Sequence, residues 1–359
     1  MSLEDLENYA EHGNPYSIWT LDRFKDWTAP KDTGILENAH GEVLVDDGAD
    51  VAIVGPPGVG KSRLAMQLAI AQITNLPWAG LSTRWPSRRW LVIGNENSIR
   101  RQAMDLKAMT SELTETGLNL VRDNLFVHVQ DNEDDHNISV NNAGKWEMTL
   151  NEVQPDVILV DPFEALLEHG DGNDAGEVRR AMSTLKGLLK ASNPKGIIVY
   201  VHHARTGVQA ARGGMGMDRN NYAKGSKTFT GIIRAQFNVL PASPDNPGAI
   251  ALDCGKLNDA RPFPTTGLNL NQQTMSYEVD EEFDPETLAA ILEGKEPPIT
   301  VSLPEIKGII EGGENRYKDI VKAVKGLTGA SEPHVRSRLQ EGVRKGLWST
   351  AMGIYSVIQ

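Results

Sequence analysis

The chain of 359 residues has one cysteine and no long apolar run. A single cysteine, Cys254, excludes an intrachain disulfide and a zinc site built on cysteines, and a reducing cytoplasm suits it best. No apolar stretch approaches the ~20 residues of a membrane-spanning helix. The acidic residues 1–5 also lack the apolar core of a secretion signal. We therefore expect a cytoplasmic protein with no membrane contact.

The chain is also poor in basic residues, with 36 Lys and Arg against 48 Asp and Glu and a formal net charge of −12. This balance argues against a protein that coats nucleic acid with a basic outer surface. It does not exclude a ring that carries its cations on pore loops and remains acidic outside.

The most informative segment is residues 55–62, which matches the phosphate-binding pattern G-x-x-x-x-G-K-[ST] at every fixed position. A β-branched run at 50–54 precedes it and a helical pattern at 61–74 follows. Glycines there let backbone N–H groups turn toward a triphosphate, and the helix N-terminus adds partial positive charge. The alternative is a fortuitous glycine-rich turn between strand and helix. The residues expected to bind ATP are Gly55, Pro56, Pro57, Gly58, Val59, Gly60, Lys61, Ser62 and Arg63.

Specific roles follow for the end of this segment. Lys61 is expected to reach the β- and γ-phosphates, and the Ser62 hydroxyl to ligate Mg²⁺. The apolar run 157–161 ends in Asp161, which we expect to hold the Mg²⁺ shell directly or through water. The alternative for Asp161 is an ordinary acid at a strand end.

A second acid follows the run 90–95. In P-loop ATPases whose second strand lies beside the first, the acid at this point accepts a proton from the attacking water. Glu96 is the candidate for that role, and the alternative is a charge at the N-terminus of the next helix. The run 196–202 ends in His202 and His203; His203 could sense the γ-phosphate, or either could be a structural histidine. A metal site on this pair is not expected, because no third ligand has suitable spacing.

Strand patterns alternate with helical ones, which predicts an α/β fold with a mostly parallel sheet. The strands are expected at 50–54, 90–95, 157–161 and 196–202, with a weaker candidate at 126–130. The helices are expected at 61–74, 98–113 and 175–191. A strand pair at 232–240 and 249–256 and a segment at 266–279 follow. Each polar motif falls at the C-terminal end of a strand, where ligands of such sheets bind.

Composition divides the chain into four parts. We expect an N-terminal extension at 1–45, an ATPase domain at 46–280, a linker at 281–304 and a small domain at 305–359. A Gly-, Ala- and Met-rich loop at 204–227 carries scattered cations. So long a loop in a compact domain is usually functional or disordered.

The ordered motifs resemble those of the RecA-like ATPases, and among them the hexameric replicative helicases of the plasmid RepA and DnaB type. Residues 169–174 resemble the Gly-Asp-x-Asn-Asp stretch of RepA-like proteins. Lys224-Gly225-Ser226 with Arg234 resembles their Arg-Gly-Ser…Arg stretch, with Lys in place of the first Arg. Residues 254–261 resemble an element that reaches a neighbouring subunit's nucleotide, although its spacing differs.

The resemblance implies a homo-hexamer or related ring with ATP between subunits. Lys61, Ser62, Glu96 and Asp161 would act on their own subunit's nucleotide. A cation from the next subunit would stabilise the transition state, and Lys256, Arg261 and Arg234 are the candidates. Loop 204–227 would line the pore and grip single-stranded DNA; the alternative is a solvated, disordered insertion.

The C-terminal part predicts a helix at 317–324, a second helix that opens at Ser331 and a β-hairpin at 347–358. This order is similar to a winged helix, whose second helix reads duplex DNA in many cases. Winged helices also bind proteins, so duplex DNA and a protein partner both remain open for 305–359.

Together the patterns predict a Mg²⁺-dependent ATPase that moves on single-stranded DNA as a replicative helicase. Two alternatives stay open. One is an ATP-switched DNA-binding or recombination-mediator protein of the same fold that does not unwind DNA. The other is a P-loop kinase for a small molecule, which lacks a lid-like arginine cluster and leaves the C-terminal part unexplained.

Overall fold

The computed structural model describes residues 20–28, 30–94, 96–128, 142–205, 214–215, 218–243, 246–295 and 299–358. The chain divides into two compact units, residues 1–33 and 34–359. In the first unit, helix α1 (Leu21–Asp26) is capped by Thr20, whose hydroxyl accepts a hydrogen bond from the Arg23 amide. Among the described residues, no helix is long and apolar enough to cross a membrane.

The second unit is built on a nine-stranded sheet. Six of its strands are parallel: β3 (Asp50–Gly55), β5 (Trp90–Gly94), β6 (Leu125–Val127), β7 (Val157–Asp161), β8 (Ile197–His203) and β9 (Ala235–Pro241). Three more continue the sheet antiparallel: β10 (Ala249–Leu257), β11 (Thr266–Leu270) and β12 (Tyr277–Val279). The order across the sheet is β12-β11-β10-β9-β3-β8-β7-β5-β6.

A small antiparallel sheet accompanies this core. Its strands are β1 (Leu36–Glu37), β2 (Val43–Val45) and β4 (Ser82–Thr83), in the order β2-β1-β4. The helices of the core are α2 (Lys61–Thr74), α3 (Ile99–Met109), α4 (Glu115–Asn124), α5 (Ala143–Val153), α6 (Ala175–Ser192) and α7 (Lys227–Ile232).

Two hydrophobic clusters cover the two faces of the main sheet. Val51 and Ile53 of β3 point into the cluster that contains α2, whereas Ala52 and Val54 point into the cluster that contains α6. All residues of β3 are buried, as expected for a continuous apolar run in a parallel sheet covered on both faces. This packing fixes the C-terminal end of β3, where the phosphate-binding segment begins.

The sequence predicted most of these elements. The α/β class and the mostly parallel sheet are confirmed, and the strands at 50–54, 90–95, 157–161 and 196–202 are present within one residue at each end. The weak candidate at 126–130 is β6 at residues 125–127, and residues 129–130 lie outside the described residues. The segment 266–279 is two strands, β11 and β12, because Asn271 closes a turn by accepting hydrogen bonds from the amides of Gln273 and Thr274.

The strand order corrects one expectation. The strand that leads to Glu96 does not lie beside the phosphate-loop strand, because β8 and β7 lie between β3 and β5. A parallel connection requires a crossover, and these two later strands insert into the gap that the first crossover leaves. Since all four strands are parallel, their C-terminal ends still meet at one edge of the sheet.

The range expected as a linker contains helix α8 (Pro285–Glu293), which begins after its cap Asp284. Its Leu288 packs with Ala251 of β10 and with Phe283. Composition alone hid this helix, because its acidic flanks look like solvated chain. The four-part division of the chain stays a prediction.

The C-terminal part contains three helices, α9 (Leu303–Glu311), α10 (Tyr317–Thr328) and α11 (Glu332–Arg344), and a hairpin of β13 (Trp348–Ala351) and β14 (Ile354–Val357). A hydrophobic cluster that includes Ile306, Ile320, Leu339 and Trp348 joins them. Ser331 caps α11, and Trp348 donates a hydrogen bond from Nε1 to the carbonyl of Leu339. The two expected helices and the hairpin are therefore present.

Candidate active site

The phosphate-binding segment joins β3 to α2 in the conformation that its glycines permit. Gly58 and Gly60 have φ of +75° and +97°, a region that other residues rarely adopt. The N-cap of α2 is Gly60, which provides no side-chain cap, so the first amides of α2 are not bonded by a capping side chain. A helix start of this kind attracts an anion.

Lys61 lies beneath this turn. Its side chain is only 6 % exposed, and Nζ donates a hydrogen bond to the carbonyl of Pro56 at 2.9 Å. Burial lowers the pKa of Lys61, whereas the negative charges of Glu96, Asp161 and Glu164 act in the opposite direction. The ammonium is therefore held at the site by three acids rather than by one ion pair.

Asp161 ends β7 on the other side of this ammonium. It is 8 % exposed and bonds the side chain of Ser62. Burial raises its pKa to about 6, and the charges of Glu96 and Glu164 act in the same direction, while Ser62 and Lys61 oppose them. Its Oδ1 atom is buried without a hydrogen-bond partner. A buried carboxylate oxygen with no partner is an incomplete arrangement that a cation would complete.

Glu96 follows β5 on an exposed bend before α3, whose N-cap is Ser98. Its charge acts on Lys61, Asp161 and His203, which places it in the same group despite the distance between β5 and β3 in the sheet. Asn95, the residue before it, lies outside the described residues.

The two histidines at the end of β8 face different surroundings. His202 is buried; its Nδ1 lies 3.1 Å from Glu164 Oε1, and its Nε2 lies 2.8 Å from the carbonyl of Lys224. His203 is partly buried, and desolvation and the charge of Lys61 lower its pKa. His203 is therefore the member of the pair that belongs to the charged group, and His202 joins strand β8 to the loop that follows.

Two residues that the sequence analysis missed support this group. Glu164 lies in a short 3-10 helix, Phe163–Leu166; burial raises its pKa, but the hydrogen bond from His202 and the charges of both histidines outweigh that effect and lower it. A signal existed, since Glu164 follows Asp161 by one turn.

The second missed residue is Tyr277 of β12. A Cβ atom built on Gly60 would lie 1.8 Å from the Tyr277 hydroxyl, so the ring packs directly under the glycine. The backbone of Tyr277 also exchanges two hydrogen bonds with the side chain of Gln67 on α2, both at 2.8 Å. Tyr277 thus fixes both the turn and the helix, and no local sequence pattern could reveal a contact between such distant residues.

Arg63, expected among the nucleotide-binding residues, pairs with Asp105 of α3 through Nε at 2.9 Å and Nη2 at 3.2 Å. This paired guanidinium ties α2 to α3 beside Ser62. Its role as a nucleotide contact stays a prediction.

The three candidate cations for a neighbouring site lie elsewhere. The Arg234 amide bonds the carbonyl of Asp50, and Lys256 pairs with Gln236 in the sheet, so both lie near the start of β3 rather than its end. Along the five steps of β3 this separation is about 16 Å. Arg234 forms an ion pair with Asp259, and Lys256 donates to the carbonyl of Thr230.

Arg261 follows the same end of β10 and pairs with Glu42, with Nε 2.7 Å from Oε1. The structure therefore does not bring these three cations to the phosphate loop of their own chain.

Loop 204–227 is described in part; residues 206–213, 216 and 217 lie outside the described residues. Its two ends run together: the Arg205 amide bonds the carbonyl of Tyr222, and the Lys224 amide bonds the carbonyl of His203. Asn238 of β9 holds the loop from below by donating to the carbonyls of Gly214 and Arg219. The loop therefore starts and returns beside the histidine pair.

The segment that resembles Gly-Asp-x-Asn-Asp contacts this loop. Gly172 accepts a hydrogen bond from the Ser226 amide at 2.8 Å, and a Cβ atom on Gly225 would lie 2.4 Å from the Gly172 carbonyl. Asp174 caps α6. The two sequence stretches on which the resemblance partly depends are thus neighbours.

The comparisons with known proteins bear on the core. A protein-family profile described as an AAA domain matches residues 29–208, about half of the chain. The chain belongs to this AAA domain family. The family match and the sheet confirm the prediction of a RecA-like P-loop ATPase core.

A solved structure whose title describes the ATPase domain of another protein is similar to this AAA domain protein, with 11 % sequence identity, a TM-score of 0.47 and coverage of 64 % of this chain and 84 % of that chain. No curated protein matches.

Proposed function

We propose that this AAA domain protein is a Mg²⁺-dependent ATPase that assembles as a hexamer or related ring and moves on single-stranded DNA as a replicative helicase. The observation that carries the proposal is the convergence of Lys61, Ser62, Asp161, Glu96 and His203 on the turn after β3. Such a group fits a nucleoside triphosphate with an attacking water at its end.

ATP would bind with its phosphates on the amides of the turn 55–62. Lys61 would leave the Pro56 carbonyl, which it now bonds at 2.9 Å, and donate to the phosphate oxygens. Tyr277 holds the turn from below, so the amides remain in place while the lysine moves.

The residues present fit Mg²⁺. Within the described part of the chain, no group of three or more His, Cys, Asp or Glu could hold a metal. Mg²⁺ instead takes one or two protein oxygens together with phosphates and waters. The Ser62 hydroxyl and the partnerless Oδ1 of Asp161 supply such oxygens. Bound Mg²⁺ would neutralise charge that develops on the β- and γ-phosphates.

For hydrolysis, the exposed carboxylate of Glu96 would orient the attacking water and accept its proton. His203, whose pKa is lowered, would present a neutral ring to the γ-phosphate. His202 would pass the loss of that phosphate to the loop, since it contacts both Glu164 and the Lys224 carbonyl.

A ring explains where the candidate cations lie. Arg234, Lys256 and Arg261 cannot reach the phosphate loop of their own chain, but a neighbouring copy could place its own loop against that edge. An arginine supplied in this way stabilises transition-state charge by orders of magnitude in rate. We keep all three as candidates for that role.

Loop 204–227 is the candidate contact with single-stranded DNA. Arg205 and Lys224 lie at its two ends, and the loop returns at His203, next to the nucleotide site. Cations of this kind grip the phosphate backbone of a single strand. The division into an extension at 1–45, an ATPase domain at 46–280, a linker at 281–304 and a small domain at 305–359 forms part of this proposal, as does a cytoplasmic setting.

The test is hydrolysis and strand displacement by the full chain, with and without oligonucleotide. We expect DNA-stimulated hydrolysis and ATP-dependent unwinding, both lost in Lys61→Ala. Stimulated hydrolysis without unwinding would favour an ATP-switched DNA-binding protein. Hydrolysis that ignores nucleic acid, in a protein that stays monomeric, would contradict both and favour a small-molecule kinase.

A further inference from the structure

Charge is unevenly distributed along this acidic chain. Residues 303–358 carry nine Lys and Arg against six Asp and Glu, whereas the whole chain has a net charge of −12. The exposed cations of this part are Arg316, Lys318, Lys322, Lys325, Arg336 and Arg344. The C-terminal part is therefore the basic region of the molecule, and it lies outside the ATPase core.

Helix α11 has two faces of different character. Val335, Arg338, Leu339 and Gly342 are buried. Pro333, Arg336, Gln340 and Arg344 are exposed at spacings of three and four residues, with the half-buried Ser337 between them. These positions form one stripe along the helix, which we call the outer stripe of α11.

Buried ion pairs fix the inner face of α11. Arg338, 1 % exposed, lies 2.6 Å from Glu341, 3.6 Å from Asp284, and donates to the carbonyl of Val301. His334 lies 2.7 Å from Glu286 at the start of α8. These two basic side chains are used inside the protein, so the outer stripe alone faces a partner.

The outer stripe is braced and chemically selective. Arg336 donates to the Tyr317 hydroxyl at 3.2 Å and lies over that ring at 5.6 Å, with Glu332 at 4.0 Å. Among the described residues, Arg344 has no ion-pair partner. Arginine and glutamine are the side chains that read guanine and adenine edges, and a helix fits the major groove of B-DNA.

The hairpin after α11 adds a second contact of the same kind. It projects to a turn at Met352, which is fully exposed, and Ser349 and Thr350 on β13 are exposed hydroxyls. Hydroxyl groups of this kind bond phosphate oxygens. In helix–turn–helix proteins the preceding helix crosses the DNA backbone, and α10 carries exposed Lys318 and Lys322.

We propose that the outer stripe of α11, with the hairpin β13–β14, binds the major groove of double-stranded DNA. The deep, narrow major groove of an RNA duplex does not admit a helix, so DNA is the duplex we infer. This site is separate from the single-strand contact proposed for loop 204–227 and does not depend on translocation.

The test measures binding of the full chain to a blunt, fluorescent DNA duplex of random sequence, about three helical turns long, without nucleotide and over a range of salt. Arg336→Ala/Arg344→Ala is compared with Arg179→Ala/Lys190→Ala, two exposed cations of α6. All four side chains are exposed, so thermal unfolding should be unchanged.

We expect the wild type to bind with a salt-dependent affinity. The α11 pair should weaken binding about tenfold or more and reduce the salt slope by about two, one for each lost contact with DNA charge. The α6 pair should bind like the wild type, and both pairs should keep hydrolysis stimulated by single-stranded DNA.

Three results would overturn the proposal. These are absence of salt-dependent duplex binding by the wild type, an unchanged affinity in the α11 pair, and an equal loss in the α6 pair. Capture of a protein on the outer stripe, with no duplex binding, would assign this face to a protein partner instead.

Discussion

Asp161→Asn should stabilise the nucleotide-free protein while it removes catalysis. The carboxylate of Asp161 is buried, its Oδ1 has no partner, and its pKa is raised from the ordinary 3.8 to about 6. Asparagine keeps the shape and the acceptor for Ser62 but carries no charge. The substitution therefore removes a buried negative charge that the nucleotide-free site does not balance.

The sign follows from the direction of the change in pKa. A carboxyl whose pKa is higher in the folded state holds its proton more tightly there, so the folded state loses stability as pH rises from the unfolded pKa to the folded one. Between a pKa of 3.8 and one of about 6, the loss is about 3 kcal/mol of unfolding free energy at full ionisation. Asp161→Asn escapes this loss, so its advantage over the wild type should grow by about 1.4 kcal/mol between about pH 5 and about pH 8.

Urea unfolding of the nucleotide-free full chain at several pH values measures this difference. Asp156→Asn is a matched control, because Asp156 precedes β7 outside the charged group, at the opposite end of the strand. An advantage for Asp161→Asn that stays constant with pH, or no advantage at all, would refute the assignment of an unbalanced buried carboxylate.

Three further predictions concern the same site. Glu96→Gln should bind ATP as the wild type does but lower kcat by roughly 10²- to 10⁴-fold, because it removes only the proton acceptor; a comparable loss of ATP affinity would contradict this role. Gly58→Ala should cost about 1–2 kcal/mol for left-handed strain, whereas Gly60→Ala should cost at least about 2 kcal/mol more in urea unfolding, because its Cβ meets Tyr277 at 1.8 Å while that of Gly58 meets nothing within 4 Å. Mixing inactive Glu96→Gln with inactive Arg234→Ala should restore hydrolysis above that of either alone, since each interface needs one intact group from each copy; no recovery, with mixed assembly confirmed by mass, would exclude Arg234 from that role.

The sequence predicted the parts of the fold whose signal is local. The run before Gly55 and the runs that end in Asp161 and His203 are apolar on both faces, so buried parallel strands were the only fitting structure. The polar residues at their ends then had to meet at one edge of the sheet. Helix α4 carried no such signal, because its stripe of apolar residues is short and interrupted by glycine.

The remaining features depend on tertiary contacts. Tyr277 bonds the Val59 carbonyl across 218 residues of sequence, and only the antiparallel extension of the sheet brings them together. The strand order placed two later strands between β3 and β5, which no pattern within either strand could reveal. The inner face of α11 looks basic in sequence, yet Asp284 and Glu286 bury and pair its His334 and Arg338.

Calorimetric titration of Mg²⁺ and a non-hydrolysable ATP analogue into the wild type and Lys61→Ala tests the central claim most directly. We predict Mg²⁺-dependent binding to the wild type and an affinity at least about tenfold weaker in Lys61→Ala, because a charge-assisted contact with phosphate is lost. Equal binding by the two proteins, with unfolding curves that confirm both are folded, would contradict the assignment of the turn before Ser62 as the triphosphate site.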